Sequence, residues 1–405
     1  MKILQVNVVY KKGSTGKIVE EVHKRLIRDG IESVVCYGRG QKITQDNVYK
    51  ICSEFESKVC HLMSYIFGIT DIGFLFSTRK LERIILREKP YVVHLHCLNG
   101  YFVSVYRLLK WLKKKHIKVV LTLHAEFMYT GGCSHALDCC KWRDGSGCDR
   151  CDRWRNEPGS ILFPRTGRMY KRLEEAFSGF CDNIRVVSVS PWLEERAKAS
   201  LILKDLKHST VLNGLDTGVF KPRDAERLKC EAGLSEKRVV FHSTASFSDE
   251  KEHIKGGYYL IELAKSLNGE NIQFLVAGNN KCETDLPGNI TVLGNIAEQD
   301  RLAECYSMAD LTVLTSFRET FSMVVAESLC CGTPVVGFKA GAPEQITIKE
   351  YSEFVDTKDI KQLRRAVLDW LSKEKDDKLP ELAKEKYDSE AMYKNYTKVY
   401  SEILK

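Results

Sequence analysis

The chain has 405 residues, 43% of them apolar, and its 62 Lys and Arg against 54 Asp and Glu give a net charge of +8. That length exceeds one ordinary domain, that apolar content excludes a disordered chain, and the charge excess is too small to argue a nucleic-acid partner. The start Met1-Lys2-Ile3-Leu4-Gln5-Val6-Asn7 lacks a signal peptide's apolar core, and even Tyr65 to Phe76 is interrupted by Asp71, so a cytoplasmic protein without a membrane span is expected.

In chain order, short apolar strands are predicted at Ile3 to Val9, Ser33 to Tyr37, Val92 to His96, Val119 to Leu123 and Arg185 to Val189, with helices such as Lys17 to Arg28 and Phe102 to Lys115 between them. Gly13-Ser14-Thr15-Gly16 follows the first strand, where Gly16 lets the backbone approach a phosphate or sugar. It is not a nucleoside-triphosphate loop, because Lys11 stands where the first glycine is needed and no Ser or Thr follows Lys17. His96 and Asn99 sit at the top of the third strand, a position suited to an acceptor, and His124 ends the fourth. Tyr106 to Lys115 mixes basic and aromatic residues on one helix, which could rest on anionic lipid or simply cover a sheet.

Five cysteines follow His124 within nineteen residues: Cys133, Cys139, Cys140, Cys148 and Cys151. Cys148-Asp149-Arg150-Cys151 has the spacing with which two thiolates grip one tetrahedral metal. Cys133 with Cys140, or alternatively Cys139, would complete a structural zinc site; free thiols are the plain alternative. The other ten cysteines are scattered through the chain, and in a reducing compartment they are not a disulfide framework.

Residues 209–222, punctuated by Asn213, Gly214 and Pro222, read as a connection. Beyond it, strands at Val239 to His242, Gln273 to Ala277, Ile290 to Leu293, Leu311 to Leu314 and Pro334 to Phe338 repeat the scheme. Alternation of this kind predicts an α/β protein of two Rossmann-like doubly wound parallel-sheet domains facing a cleft: 1–208 with a Cys-rich insertion at 131–155, and 223–385. The loop Ser316-Phe317-Arg318-Glu319-Thr320 then opens a helix predicted from Phe321 to Gly332. Free N–H groups of Thr320, Phe321 and Ser322 favour an anion such as a phosphate, while Glu319 and Glu327 bracket it as a nucleotide-linked sugar would require.

Glu319-x7-Glu327, followed by Cys331-Gly332-Thr333-Pro334-Val335-Val336 and Gly341-Ala342-Pro343-Glu344, resembles the signature of family 4 retaining glycosyltransferases, which adopt the two-domain GT-B fold. The resemblance implies that Glu319 contacts donor-sugar hydroxyls, Glu327 the ribose, and the amides of Thr320 to Ser322 the diphosphate, although relatives often carry Gly where this chain has Ser322. His124 matches the family's Thr-x-His histidine beside the donor sugar, with Ala125-Glu126 where relatives often have Asp. Lys255, before Gly256, matches the diphosphate lysine; the accompanying arginine is missing from this loop, and Lys251 is the candidate substitute. Asn213-Gly214-Leu215-Asp216 through Phe220-Lys221-Pro222 resembles the family's interdomain segment. The last helix, within 386–405, would by the same likeness return to the first domain.

The segment from Thr130-Gly131-Gly132-Cys133 to Cys151 resembles a branch of bacterial exopolysaccharide transferases, including the colanic acid type. Together these imply a retaining hexose transfer from a UDP- or GDP-sugar to a saccharide acceptor, polyprenyl-linked at the inner face of the plasma membrane, with no cofactor for catalysis. An epimerase or phosphorylase of the same architecture, or a non-catalytic sugar-nucleotide or glycan-binding protein, are the rival expectations.

Overall fold

The computed structural model describes residues 1–70, 73–157 and 159–405, so Asp71 of the interrupted apolar run lies outside the described residues. The chain divides into two compact units, Met1–Leu212 with Tyr393–Lys405, and Asn213–Met392.

The first unit holds β1 (Lys2–Asn7), α1 (Gly13–Arg28), β2 (Glu32–Tyr37), β3 (Val48–Lys50), α2 (Glu54–Phe67), α3 (Leu75–Glu88), β4 (Val92–Leu95), α4 (Val105–Lys114), β5 (Val119–Leu123), α5 (Thr166–Phe177), β6 (Ile184–Ser188), α6 (Pro191–Ala199) and β7 (Lys207–Thr210). The second holds α7 (Ala225–Glu231), β8 (Arg238–Phe247), α8 (Gly257–Ser266), β9 (Ile272–Asn280), β10 (Ile290–Gly294), α9 (Gln299–Met308), β11 (Leu311–Leu314), α10 (Met323–Cys330), β12 (Val335–Phe338), α11 (Pro343–Ile346), β13 (Ser352–Val355), α12 (Ile360–Leu371) and α13 (Leu379–Tyr387). The last helix, α14 (Ser389–Leu404), enters the first unit from Tyr393.

Both sheets are parallel throughout. The first runs β3-β2-β1-β4-β5-β6-β7 and the second β10-β9-β8-β11-β12-β13. Every residue of β4, β5, β11 and β12 is buried. Central parallel strands are covered on both faces, which is why they read as unbroken apolar runs rather than alternating ones. Helices bring matching stripes: α1 buries Ile18, Val19, Val22 and Leu26. α14 contributes Tyr396 and Tyr400, both fully buried in the first unit.

Three strands absent from the sequence reading, β3, β7 and β13, are sheet edges. Each is only three or four residues long and mostly half-buried or exposed, so no apolar run marks it.

In each sheet the winding direction reverses once, between β1 and β4 in the first and between β8 and β11 in the second. Loops leaving the carboxyl ends of such neighbours diverge and leave a crevice, where open α/β sheets bind their ligands. His96 and Asn99 lie on the loop after β4 and Lys255 and Glu319 on the loops after β8 and β11, while Gly16 is in α1, Glu327 in α10, and His124 with the cysteines follows β5.

Candidate active site

In the second unit the reversal point is occupied by the loops 248–256 and 315–322. Gly256 joins them: its φ of +65° and a position where a Cβ would sit 1.9 Å from the Thr315 carbonyl oxygen admit no side chain. This packing carries Lys255 to Glu319, whose Oε1 lies 2.7 Å from the Lys255 ammonium. Glu319 is pinned from the other side, its N–H donating to Ala340 O at 2.9 Å and its carbonyl accepting from Ala342 N–H at 3.1 Å. The Gly341-Ala342-Pro343-Glu344 motif is thus the wall behind Glu319. Glu344 closes that turn by accepting from Gly341 N–H at 3.0 Å, and burial raises its pKa.

The helix begins two residues later than expected, at Met323 rather than Phe321. Its first residues are diverted because Phe321 turns inward, only 3% exposed, and Ser322 takes φ +90°. The amides of Phe321 and Ser322 find no acceptor among the described residues, which leaves two N–H groups at a helix N-terminus beside Lys255 and Glu319. Thr320 is buried in the same loop. Ser328, one turn from the helix end, bonds Thr312 Oγ1 and the Thr333 carbonyl, both at 2.8 Å, so the Gly-Thr-Pro turn holds the helix against β11. Glu327 accepts from the Tyr306 hydroxyl at 3.0 Å.

Lys251 is not brought to this group. It is exposed, its ammonium 5.9 Å from the Tyr258 ring centroid, in a surface groove with Glu262, Lys265 and Lys358. Three residues separate it from Lys255 in a loop that turns at His253, where a bond from Gly256 N–H to His253 O sets the direction. A cation that sequence reasoning did not consider is Arg318, next to Glu319 and near enough to the half-buried Glu344 carboxyl to lower its pKa. Its only signal in the sequence was adjacency to the motif.

In the first unit Gly16 packs within van der Waals reach of Val9 and of the Lys11 amide, which explains the glycine as a close approach of backbone to backbone. His96 and His124 leave adjacent strands with stacked rings, centroids 5.5 Å apart, and His96 Nδ1 lies 3.2 Å from His124 Nε2. His96 is 1% exposed, so it meets an acceptor only through His124. Behind them His94 bonds Tyr400 OH and Thr122 Oγ1, each at 2.7 Å, and Tyr396 OH also reaches Thr122. Burial pushes His124 down to about 4 and His94 to about 3, so both rings are neutral near neutral pH. Sequence reading missed Thr122, Tyr396 and Tyr400 as supports, although the tyrosine spacing along the last helix was their signal. Asn99 donates to Ser134 Oγ at 3.3 Å and lines a polar cavity of about 170 Å³ with Thr70, Tyr101, Gly132, Asn156 and Glu157.

The zinc expectation falls on Cys133, Cys140 (or Cys139), Cys148 and Cys151. Among the described residues no three His, Cys, Asp or Glu side chains are grouped to hold a metal ion. Cys148 Sγ accepts from Gly131 N–H at 3.3 Å, Cys133 Sγ faces the Glu157 carbonyl, and Cys140 is exposed beside the Arg143 guanidinium; Cys151 lies near enough to Cys133 and Cys148 to act on both thiols. Burial drives the Cys133 and Cys148 thiols upward. Beneath the segment lies Glu126. This wholly buried carboxylate accepts from Arg196 Nε at 2.6 Å, Ala136 N–H at 2.7 Å and Tyr129 OH at 3.1 Å. Arg196 lies 4.8 Å from the ring centroid of buried Trp142.

With this geometry in view, a glycosyltransferase family 4 model matches residues 15–219, half of the chain, and a glycosyl transferases group 1 model matches residues 225–387. The chain belongs to glycosyltransferase family 4. The colanic acid biosynthesis glycosyl transferase WcaC of Escherichia coli (strain K12) is 21% identical over 90% of this chain and 89% of its own length. N-acetyl-alpha-D-glucosaminyl L-malate synthase of Bacillus anthracis is 26% identical over 97% of this chain and 95% of its own. The crystal structure of Anabaena Alr3699/HepE in complex with UDP superposes with a TM-score of 0.61 at 15% identity, covering 99% of this chain and all of that one, and shows the shared fold.

Proposed function

We propose that this glycosyltransferase moves a hexose with retention of configuration from a UDP- or GDP-sugar to a saccharide acceptor in surface polysaccharide synthesis, the acceptor being polyprenyl-linked at the cytoplasmic face of the plasma membrane. The observation that carries the reading is the Lys255–Glu319 pair at the reversal point of the second sheet, next to two amides without acceptors. A diphosphate there meets an ammonium and a helix N-terminus, the charges that a departing nucleotide needs as the glycosidic bond breaks. Lys255 then exchanges part of its contact with Glu319 for the phosphate, which frees the carboxylate to accept from the donor-sugar hydroxyls. The acceptor oxygen bonds to the anomeric carbon on the face the diphosphate leaves, and its proton passes to the leaving phosphate oxygen. Glu327 takes the ribose, and the role of His124 beside the sugar rests on the family likeness alone. The whole-length likeness to WcaC supports the polysaccharide setting, and the UDP complex of Alr3699/HepE supports the donor class.

The test is Glu319→Ala. Transfer from UDP- and GDP-hexoses should fall by at least about a hundredfold, while UDP or GDP still raises the melting temperature, because the nucleotide half keeps Lys255 and the amides. Undiminished turnover in this variant removes the assignment. Sugar product formed without any acceptor would instead indicate an epimerase or phosphorylase.

A further inference from the structure

Helix α2 is turned inside out. Its buried face is Ser57, Cys60 and Ser64, while Phe55, Val59, Leu62 and Met63 form an exposed stripe at helical spacing, Phe55 being 79% exposed. A folding core alone would select the opposite orientation. The stripe does not stand by itself. Phe74 N–H donates to Cys60 Sγ at 3.4 Å and Ser77 N–H to Glu56 Oε1 at 3.1 Å, which sets the start of α3, with exposed Leu75 and Phe76, beside it. On the other side Ile161 N–H donates to the Tyr65 carbonyl at 3.0 Å, and the Phe163 carbonyl fills the space where a Cβ on Gly68 would sit, adding exposed Ile161, Leu162 and Phe163. Of the eighteen large apolar side chains exposed among the described residues, ten lie on these three neighbouring segments. Scattered exposure is ordinary, but concentration of this kind marks a surface that leaves water.

The charges around it say for what. Glu54 is held by Gly40 N–H and Lys50, and Glu56 by the Ser77 backbone and hydroxyl, so the acids are engaged within the fold. Lys58, Arg79 and Arg83 are exposed and make no ion pair among the described residues. An apolar stripe rimmed by unpaired cations fits the interface of an anionic bilayer, apolar side chains among the acyl chains and cations at the headgroups. The polar cavity beside Asn99 adjoins this surface: Ser57 Oγ on the inner face of α2 donates to the Tyr101 carbonyl at 2.7 Å, and Tyr101 lines the cavity.

We propose that the α2 stripe, the start of α3 and Ile161–Phe163 seat the first unit on an anionic membrane, which holds the cavity beside Asn99 at headgroup level where a lipid-linked saccharide presents its sugar. This rests on the acceptor class proposed above and assigns its surface. The basic helix α4, the candidate from sequence, is less suited: it buries Val105, Leu108, Leu109 and Leu112, and its Lys110 and Lys113 contact Glu175 and the Ser178 carbonyl.

Flotation with phosphatidylcholine vesicles, with and without phosphatidylglycerol, tests it. The wild-type protein should bind the anionic vesicles in a salt-sensitive way. F55S/L62S/F76S should weaken that binding by at least about tenfold, and R79E/R83E should remove its salt sensitivity, whereas K110E/K113E should bind as the wild type does. Because the first set removes only exposed side chains, the fold should persist, checked by circular dichroism. Wild-type protein that ignores both vesicle types, or an F55S/L62S/F76S variant that binds undiminished, overturns the proposal. So does a wild-type dimer in sedimentation equilibrium that F55S/L62S/F76S converts to monomer, since the surface then covers a second copy. Donor binding is read separately in the same variants: loss of the nucleotide thermal shift in wild type would count against the donor reading and leave the surface standing.

Discussion

Ser322 sits where the backbone asks for glycine. Its φ of +90° is strained for any residue with a Cβ, its side chain is nearly buried, and its hydroxyl has no partner. Ser322→Gly removes the strain and the orphaned hydroxyl together. It should stabilise the second unit by about 1 kcal/mol in urea denaturation, with donor affinity kept or improved; a loss of stability would mean the hydroxyl is satisfied in solution. The sequence made this position legible only as a departure from the family's usual glycine, since a dihedral angle is not written in spacing. His96 is the converse case. The sequence placed it correctly at a strand top, but could not tell that its ring stacks on His124 instead of opening outward. A ring that orients another acts on turnover more than on binding. His96→Ala should lower kcat about tenfold with donor KM little changed, and His96→Asn, whose amide can take the place of Nδ1, should recover much of it. Equal losses in both variants, spread over kcat and KM, would reduce His96 to packing.

Among the elements, what the sequence disclosed were those whose apolar pattern is complete. Central strands such as Val119–Leu123 are buried at every position and carry unbroken β-branched and leucine runs, so their limits could be read to the residue. Edge strands such as Lys207–Thr210 carry no such pattern and are defined by pairing with a neighbour, here Arg185↔Lys207 through Ser188↔Thr210. In residues 131–155 the sequence displayed turns and cysteines but not the buried carboxylate they pack on. Cys-x2-Cys spacing states that two thiols can meet one metal, not that their rotamers do, and here a buried carboxylate satisfies the segment's backbone and Arg196. Glu126→Gln keeps the shape and removes the charge from a buried pair, leaving Arg196 uncompensated beside Trp142. It should cost about 3 kcal/mol and expose the segment to proteolysis first. Wild-type protein should keep its melting temperature in EDTA. A chelator-induced drop comparable to the Glu126→Gln loss would show that metal, rather than this hub, orders the segment.

At the scale of the whole molecule, the two units differ in what acid does to them. The first buries His23, His94 and His96 and half-buries His124 and His208; burial lowers all five, His23 and His124 to about 4 and His94 to about 3 from the ordinary 6.5. A histidine held neutral in the fold takes up its proton on unfolding. The unfolded chain therefore binds more protons between pH 6.5 and about 4, and stability present above that window is lost as pH falls through it. A fully buried ring such as His94 contributes on the order of 3 kcal/mol to that loss, and the half-buried ones less. The second unit buries only His242 in this way, lowered to about 4, and it half-buries Glu344, whose raised pKa works in the opposite direction because the folded state holds the proton more tightly. Lys375, lowered to about 8 by burial, titrates above the acid window and adds nothing within it. Calorimetry stepped from pH 7 to about 5 should accordingly resolve a transition that moves to lower temperature, belonging to the first unit, from one that moves far less. His94→Asn, which keeps a polar side chain without a titrating ring, should flatten the pH dependence of the first transition. UDP or GDP should raise only the second, because the proposed diphosphate site lies wholly on Lys255, Glu319 and the start of α10. Two transitions shifting in parallel under both acid and nucleotide would show that the units unfold as one, and that the histidines are more accessible to protons than their burial implies.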